Sequence, residues 1–152
     1  MNTKTCTKTV GGIAITVSLL LASNNVLAGR FTDQVREQLV AIGVLLGLGD
    51  NYELSSSYVN SLRDDRSNML TMSLSRGRSY AIVAVCDQDC RDIDLLVYNE
   101  NDQLVGKDIK ADDKPMVGIS PRWSGDFRVQ VKMISCSASP CYYGVGLFGK
   151  TR

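Results

Sequence analysis

Asp87, Asp89, Asp92 and Asp94 crowd into eight residues, and Asp112 and Asp113 follow one hairpin later. Calcium accepts about six to eight oxygen ligands in a loose geometry, so closely spaced carboxylates can supply them. Two residues apart on a strand, Asp92 and Asp94 project from the same face. Asp92, Asp94, Asp112 and Asp113 are therefore the candidate metal ligands, and Ca2+ the candidate cofactor. The run is not an EF-hand, because it lacks that loop's glycine and its closing glutamate. The same acids also serve as solvated turn residues that accept backbone N–H bonds. Spacing alone leaves both uses open.

The second chemistry is that of sulfur. Cys6 sits near the N-terminus, and Cys86, Cys90, Cys136 and Cys141 form an even set beyond it. In an exported chain an even set is read as disulfides. Three pairings are open. Cys86–Cys90 and Cys136–Cys141 are favoured because each joins near neighbours in the chain. Loops this short remove little unfolded-chain entropy, roughly 2 kcal/mol per bridge, so their work is to pin local turns. Four cysteines in two close pairs are also a zinc pattern, which an oxidising compartment disfavours. Neither pair is a C-x-x-C redox motif.

Catalysis lacks its usual parts. The chain contains no histidine, which removes the commonest general base and metal ligand. Serines have no histidine to activate them, and none stands in Ser-x-x-Lys. Paired carboxylates can run a glycosidase, but acids placed in turns indicate no cleft for one. The expectation is a protein that is not an enzyme. Trp123, before Ser124-Gly125, is either a sugar-stacking platform or a ring packed over a corner between strands.

The N-terminus reads as an export signal. Lys4 and Lys8 precede an apolar run, Val10 to Ala22, and Val26-Leu27-Ala28 offers a cleavage site before Gly29. The run is short for a membrane span, although an uncut anchor is the competing reading. Without Lys4 and Lys8 the 17 basic residues fall to 15 against 16 acidic ones, a net charge of −1. A near-neutral chain lacks the concentrated basic face that nucleic acid requires. The segmentation is a signal peptide over 1–28, a helical segment over 29–53 and a β domain over 54–152.

Between these landmarks the periodicity changes once. Val35, Leu39, Ile42 and Leu46 recur at helical spacing and predict a helix over 31–48. Thr32 is the expected N-cap and Gly49 the expected C-cap, with Asp33, Arg36, Glu37 and Gln38 on the wetter side. Residues 43–48 are apolar nearly all round, which suits packing on the rest of the protein or docking to a partner or membrane. From residue 54 onward the pattern is one of short strands. Leu70, Met72 and Leu74 alternate with polar neighbours, then Arg76-Gly77-Arg78 turns the chain. Tyr80 to Cys86 is a continuous apolar run, expected of a strand buried on both faces. Strands follow at 94–98, 104–107, 116–119, 127–134 and 142–148. Phe127, Val129, Val131 and Met133 alternate cleanly with Arg128, Gln130 and Lys132. Seven or eight such strands predict a mainly β protein, an antiparallel jelly-roll-like sandwich preceded by one N-terminal helix.

The strand segments resemble a known family. Cys86-Asp87-Gln88-Asp89-Cys90-Arg91-Asp92-Ile93-Asp94-Leu95-Leu96-Val97-Tyr98 is similar to the D-x-D-L-x-V-Y strand of bacterial pre-peptidase C-terminal domains. That family continues with D-x-x-x-D-x-x-P and G-x-[YF]-x-V-x-V, which correspond here to Asp108 to Pro115 and to Gly125-Asp126-Phe127-Arg128-Val129-Gln130-Val131. The resemblance spans roughly residues 54–149. Cys86-x-x-x-Cys90 and Cys136-x-x-x-x-Cys141-Tyr142-Tyr143-Gly144 resemble a cysteine-bearing subgroup of small exported bacterial proteins. The resemblance implies a non-catalytic β-sandwich, some of whose relatives bind collagen or calcium. Those domains usually end a secreted peptidase. No peptidase precedes this one, so a role toward an attached enzyme is not carried over.

The expected protein is thus periplasmic or secreted, with no stable transmembrane segment after cleavage. Its expected function is that of a non-enzymatic binding or envelope-associated module. Its expected partner is a protein or polysaccharide of the cell envelope or extracellular matrix. The alternative is a structural or assembly subunit of a larger envelope complex, docked through the 31–48 helix.

Overall fold

The computed structural model describes residues 23–151; Lys4, Cys6, Lys8 and the Val10 to Ala22 run lie outside them. One helix, α1 (Ser23–Asp50), precedes eight strands. These are β1 (Tyr52–Leu62), β2 (Arg66–Leu74), β3 (Tyr80–Cys86), β4 (Cys90–Tyr98), β5 (Leu104–Asp108), β6 (Met116–Ile119), β7 (Gly125–Cys136) and β8 (Cys141–Lys150). They form two antiparallel four-stranded sheets of order β1-β8-β3-β6 and β2-β7-β4-β5. That order is the jelly-roll order, in which every connection but the β4–β5 hairpin passes from one sheet to the other across an end of the sandwich.

The period-two strands do what their patterns predict. Phe127, Val129, Val131 and Met133 of β7 point into the sandwich beside Ile93, Leu95 and Val97 of β4 and Met72 and Leu74 of β2. From the other sheet come Tyr80, Ile82 and Ala84 of β3 and Tyr143, Val145 and Leu147 of β8. The continuous run of β3 also has its reason. Ala81, Val83 and Val85 face away from the sandwich into a second core with Val35 and Leu39 of α1 and Phe148 of β8. Ile42 and Leu46 pack at its margin, so all four residues of the predicted helical face are used.

Close approach of α1 to the sheet depends on two glycines of β8. A Cβ on Gly144 would lie 2.5 Å from Val35 Cγ1 and 3.0 Å from Leu39 Cδ1, and one on Gly146 would meet Phe148 and Leu39. Without side chains there, the helix settles far enough to bury Val35 and Leu39 almost completely. Each such burial contributes about 1.5–3 kcal/mol.

Several local expectations are corrected. Thr32 is not an N-cap, because the helix already runs from Ser23. Its hydroxyl instead donates back along the helix to the carbonyls of Ala28 (3.1 Å) and Gly29 (2.8 Å). Gly49 does not end the helix. It continues to Asp50, and Asn51 takes the left-handed conformation (φ 58°) that stops it. Gln38 is half-buried, and its Nε2 donates to the carbonyl of Cys86 at 2.8 Å. β4 starts at Cys90, four residues before the expected strand at 94–98, so Asp92 stands on the strand with Asp94. The sandwich begins at Tyr52, two residues before the expected boundary. β1 has no apolar alternation because it is an edge strand held by its ladder to β8.

Both cysteine pairs are disulfides. Cys86 joins Cys90 and Cys136 joins Cys141. Each clamps the turn between two strands, β3–β4 and β7–β8. Cys90 and Cys136 face each other across the β4–β7 ladder, so both bridges lie at one end of the molecule.

Gly144→Ala is expected to lower stability by about 1–3 kcal/mol, the usual cost of overpacking. Gly118→Ala meets nothing within 4 Å and should stay within about 0.5 kcal/mol of the parent. Urea unfolding of both variants measures the contrast.

Candidate functional site

The jelly roll gathers its connections at two ends, and the chain's charge is distributed between them. The β3–β4 and β7–β8 turns meet at the disulfide end. The β2–β3 turn, the β6–β7 connection and the end of β8 meet at the other. The two ends are about 20 Å apart along β3 at roughly 3.3 Å per residue.

At the disulfide end Asp87 is buried and structural. Its Oδ2 accepts the N–H of Tyr142 at 2.8 Å, and its Oδ1 accepts that of Asp89 at 3.2 Å. Its own N–H donates to the Tyr142 carbonyl. The β3–β4 turn is thereby tied to β8. Burial pushes the Asp87 carboxyl above the ordinary carboxylate value, and the N–H bonds from Tyr142 and Asp89 oppose the rise. Asp92 and Asp94 alternate with the core-facing Ile93 and Leu95 of β4, as their spacing predicts, and both are half-buried; Asp92 Oδ1 is buried with no hydrogen-bond partner among the described residues. Burial, then the charge of Asp112, raises Asp92. Burial, then Asp92, raises Asp94, with Lys132 pulling the other way and Asp108 adding to the rise.

The four carboxylates proposed as metal ligands are not gathered as a set. Asp112 Oδ1 accepts the backbone N–H of Lys114, and Asp113 is ion-paired with the Lys114 ammonium at 2.6 Å. Asp108, absent from the proposed set, stands near Asp94 but accepts the N–H of Met116. That bond holds its carboxyl below the usual value. Among the described residues no three Asp, Glu, Cys or His side chains converge closely enough to hold an ion.

The opposite end carries a cleft of about 570 Å³ lined by Glu53, Ser75, Arg76, Gly77, Arg78, Ser79, Lys150 and Thr151. Its floor is the turn Ser75–Arg78, closed by an Arg78 N–H bond to the Ser75 carbonyl, with Gly77 at φ 75°. That φ at the third position of a turn suits glycine and strains other residues. Arg78 is held on three sides. Its Nε donates to the Lys150 carbonyl at 3.2 Å, and its guanidinium carbon lies 5.4 Å from the Tyr80 ring centroid. It also lies over Gly149, where a Cβ would overlap the guanidinium. Lys150 Nζ stands 5.7 Å from the Tyr52 ring centroid. Among the described residues, Arg76, Arg78 and Lys150 have no carboxylate within ion-pair distance. Three cations against the single Glu53 make the cleft an anion attractor in a nearly neutral chain.

The neighbouring β6–β7 connection supports this turn. Ser124 Oγ accepts the Arg76 N–H at 2.8 Å, the Pro121 carbonyl accepts that of Gly77, and the Ser79 and Ser120 hydroxyls are hydrogen-bonded. The same connection carries Trp123. One face of its ring stacks on Phe127 at 5.8 Å, and its Nε1 donates to Glu100 Oε2 at 2.8 Å. A hollow of about 250 Å³ beside it is lined by Val105, Ile119, Pro121, Arg122 and Trp123 among others. The corner-packing reading of Trp123 is met, and the ring stays 37% exposed.

Sequence reasoning treated Arg76-Gly77-Arg78 only as a turn and did not single out Lys150. The visible signal was two arginines flanking a turn glycine. Lys150 joins them only because Tyr80 pairs with Gly149 across the β3–β8 ladder.

No family model and no curated protein matches the chain. Among solved structures, it is similar to the pre-peptidase C-terminal domain of a collagenase from Bacillus anthracis. The TM-score is 0.51 and the identity 11%, over 62% of this chain and 89% of that one. A periplasmic inhibitor of g-type lysozyme from Aeromonas hydrophila is matched at a TM-score of 0.44 and 15% identity, over 66% of this chain and 89% of that one. The first likeness is one of fold, and the strand motifs that resemble that family lie on a sandwich of similar shape.

A carboxyl raised in the folded state costs stability while ionised, and the cost is relieved as pH falls toward its raised value. Asp92→Asn should therefore melt about 1–3 °C above the parent at pH 7. The difference should shrink as the pH is lowered toward the ordinary carboxylate value of 3.8. Below that value the parent begins to lose the contribution of Asp108, whose carboxyl is depressed. Melts in chelator and in millimolar calcium should coincide, and a calcium-dependent rise would restore the acids as a metal site.

Proposed function

We propose that this chain is an exported, non-enzymatic binding module that holds a protein or polysaccharide of the cell envelope or extracellular matrix. The observation that carries the reading is the basic cleft lined by Arg76, Arg78 and Lys150. Arg78 and Lys150 are braced on Tyr80 and Tyr52, and cations that have no carboxylate partner among the described residues are poised for an external anion. Two disulfides in a small domain accord with an oxidising compartment, and among the described residues no helix is long and apolar enough to cross a membrane.

A second reading rests on a different surface. Val40, Val44 and Leu45 on the outer side of α1 are 60%, 53% and 71% exposed. They suit an assembly subunit docked through this helix. Deleting 31–48 would be a poor test of that role, because it would also strip the cover from Ala81, Val83 and Val85. Val44→Ser with Leu45→Ser leaves the inner face intact.

Two measurements test these readings. Intact mass of the exported protein should give a chain beginning at Gly29, and retention of Met1 would refute cleavage after Ala28. Affinity capture from native envelope material should recover a partner that is lost with Arg76→Gln and Lys150→Gln together. Loss with the Val44→Ser, Leu45→Ser variant instead would favour the assembly role.

A further inference from the structure

Resting on the binding-module reading, we infer that the basic cleft takes the oxyanion of a carboxylate- or phosphate-bearing sugar chain, which continues across the exposed face of Trp123. The cleft is lined by the hydroxyl-bearing Ser75, Ser79 and Thr151, a turn glycine, three cations and one carboxylate, with no aliphatic or aromatic side chain. A peptide segment of comparable size would bring apolar side chains that this lining cannot bury. A sugar brings hydroxyls and an anionic group, and each finds a counterpart here. Arg78 is the anchor. With Nε already donated to the Lys150 carbonyl and the plane braced against Tyr80, its terminal nitrogens make no other hydrogen bond among the described residues. A pre-positioned guanidinium fork matches the two oxygens of a carboxylate or phosphate. Lys150, also in the lining, adds a second charge.

The stacking surface lies on the loop that buttresses the cleft. Ser120, Pro121 and Ser124 hold the β2–β3 turn through three hydrogen bonds, and Trp123 stands between them in sequence. Its ring is braced by Phe127 and Glu100, so stacking a sugar on it costs little ordering. A rigid aromatic face with a polar edge suits the apolar face of a pyranose. The cations and the ring thus stand on two hydrogen-bonded connections at the same end of the sandwich, and the inferred sugar chain spans from one to the other.

Trp123 is the chain's single tryptophan, so its fluorescence reports directly. The purified protein is titrated at low salt with an oligogalacturonate, a phosphorylated oligomannose, neutral oligomannose, inorganic phosphate and poly-glutamate, with calorimetry in parallel. At least one anionic oligosaccharide should shift the fluorescence and bind at least ~10-fold more tightly than neutral oligomannose, inorganic phosphate and poly-glutamate. Comparing the two anionic sugars separates carboxylate from phosphate. Arg78→Gln should weaken binding of that sugar at least ~10-fold. Arg76→Gln, at an exposed turn position, should weaken it less and serves if Arg78→Gln fails to fold. Trp123→Ala, followed by calorimetry, should weaken sugar binding and leave inorganic phosphate unchanged. Equal affinity for phosphate and the anionic sugars, with no effect of Trp123→Ala, would reduce the cleft to a simple anion site and overturn the inference. Tighter binding of poly-glutamate would overturn it in favour of an acidic protein partner. If no anionic sugar binds, the inference fails. Envelope capture insensitive to Arg78→Gln would then preserve the binding-module reading through another surface.

Discussion

Seven consecutive residues of β3, Tyr80–Cys86, are buried from water on both sides of their sheet. A sandwich covers one face of each sheet, so the outward residues Ala81, Val83 and Val85 need a cover from outside it. The helix α1 supplies that cover. It reaches the sheet because β8, the neighbour of β3, presents Gly144 and Gly146 where larger side chains would hold the helix away. Three elements are therefore interdependent: an all-apolar strand, a glycine-bearing neighbour and an amphipathic helix. Removing any one leaves apolar surface in water or an overpacked seam.

That arrangement also sets where chemistry can occur. With both faces of the β1-β8-β3-β6 sheet engaged near α1, a further hollow lies between α1 and β1, and the loops gather at the two ends of the jelly roll. They are closed by different means. One end is clamped by two disulfides and by Asp87, whose carboxylate ties the β3–β4 turn to β8. Of the acids there, Asp87, Asp108, Asp112 and Asp113 are committed to backbone N–H groups or lysines, whereas Asp92 keeps a buried oxygen without a partner among the described residues. The other end is closed by hydrogen bonds between neutral groups, at Ser124, Pro121 and the Ser79–Ser120 pair. There Arg78 braces on Tyr80 and the Lys150 carbonyl, and Lys150 on Tyr52, with no carboxylate within ion-pair distance among the described residues. Local electrostatics at that end differ sharply from the near-zero net charge of the chain, which describes no particular surface.

The residues differ in how much they disclosed. Period-two alternation in β7 and the four-residue face of α1 were readable because burial on one side of a regular element is a property of its own segment. The short cysteine spacings were readable for the same reason. β1 was not recognised as an individual strand, because Tyr52–Leu62 is polar and serine-rich and owes its conformation to the ladder with β8. The acid run was equally visible, but not what its members would face. Carboxylate density is visible in one dimension, whereas lone-pair direction is not. The cleft had the opposite fate, since Arg78 and Lys150 are 72 residues apart and share a site only through the β3–β8 pairing.

By itself the sequence determined the class of the fold, the helix face, the both-sided burial of β3 and the absence of histidine chemistry. Each of these depends on residue type and local period. Tertiary structure alone decided which charges stay free, which are spent on backbone N–H groups, and which side chains meet at an end of the sandwich. Those outcomes depend on register and crossing connections, and a jelly roll pairs strands that are far apart along the chain. A local pattern carries no information about which distant strand will lie beside it.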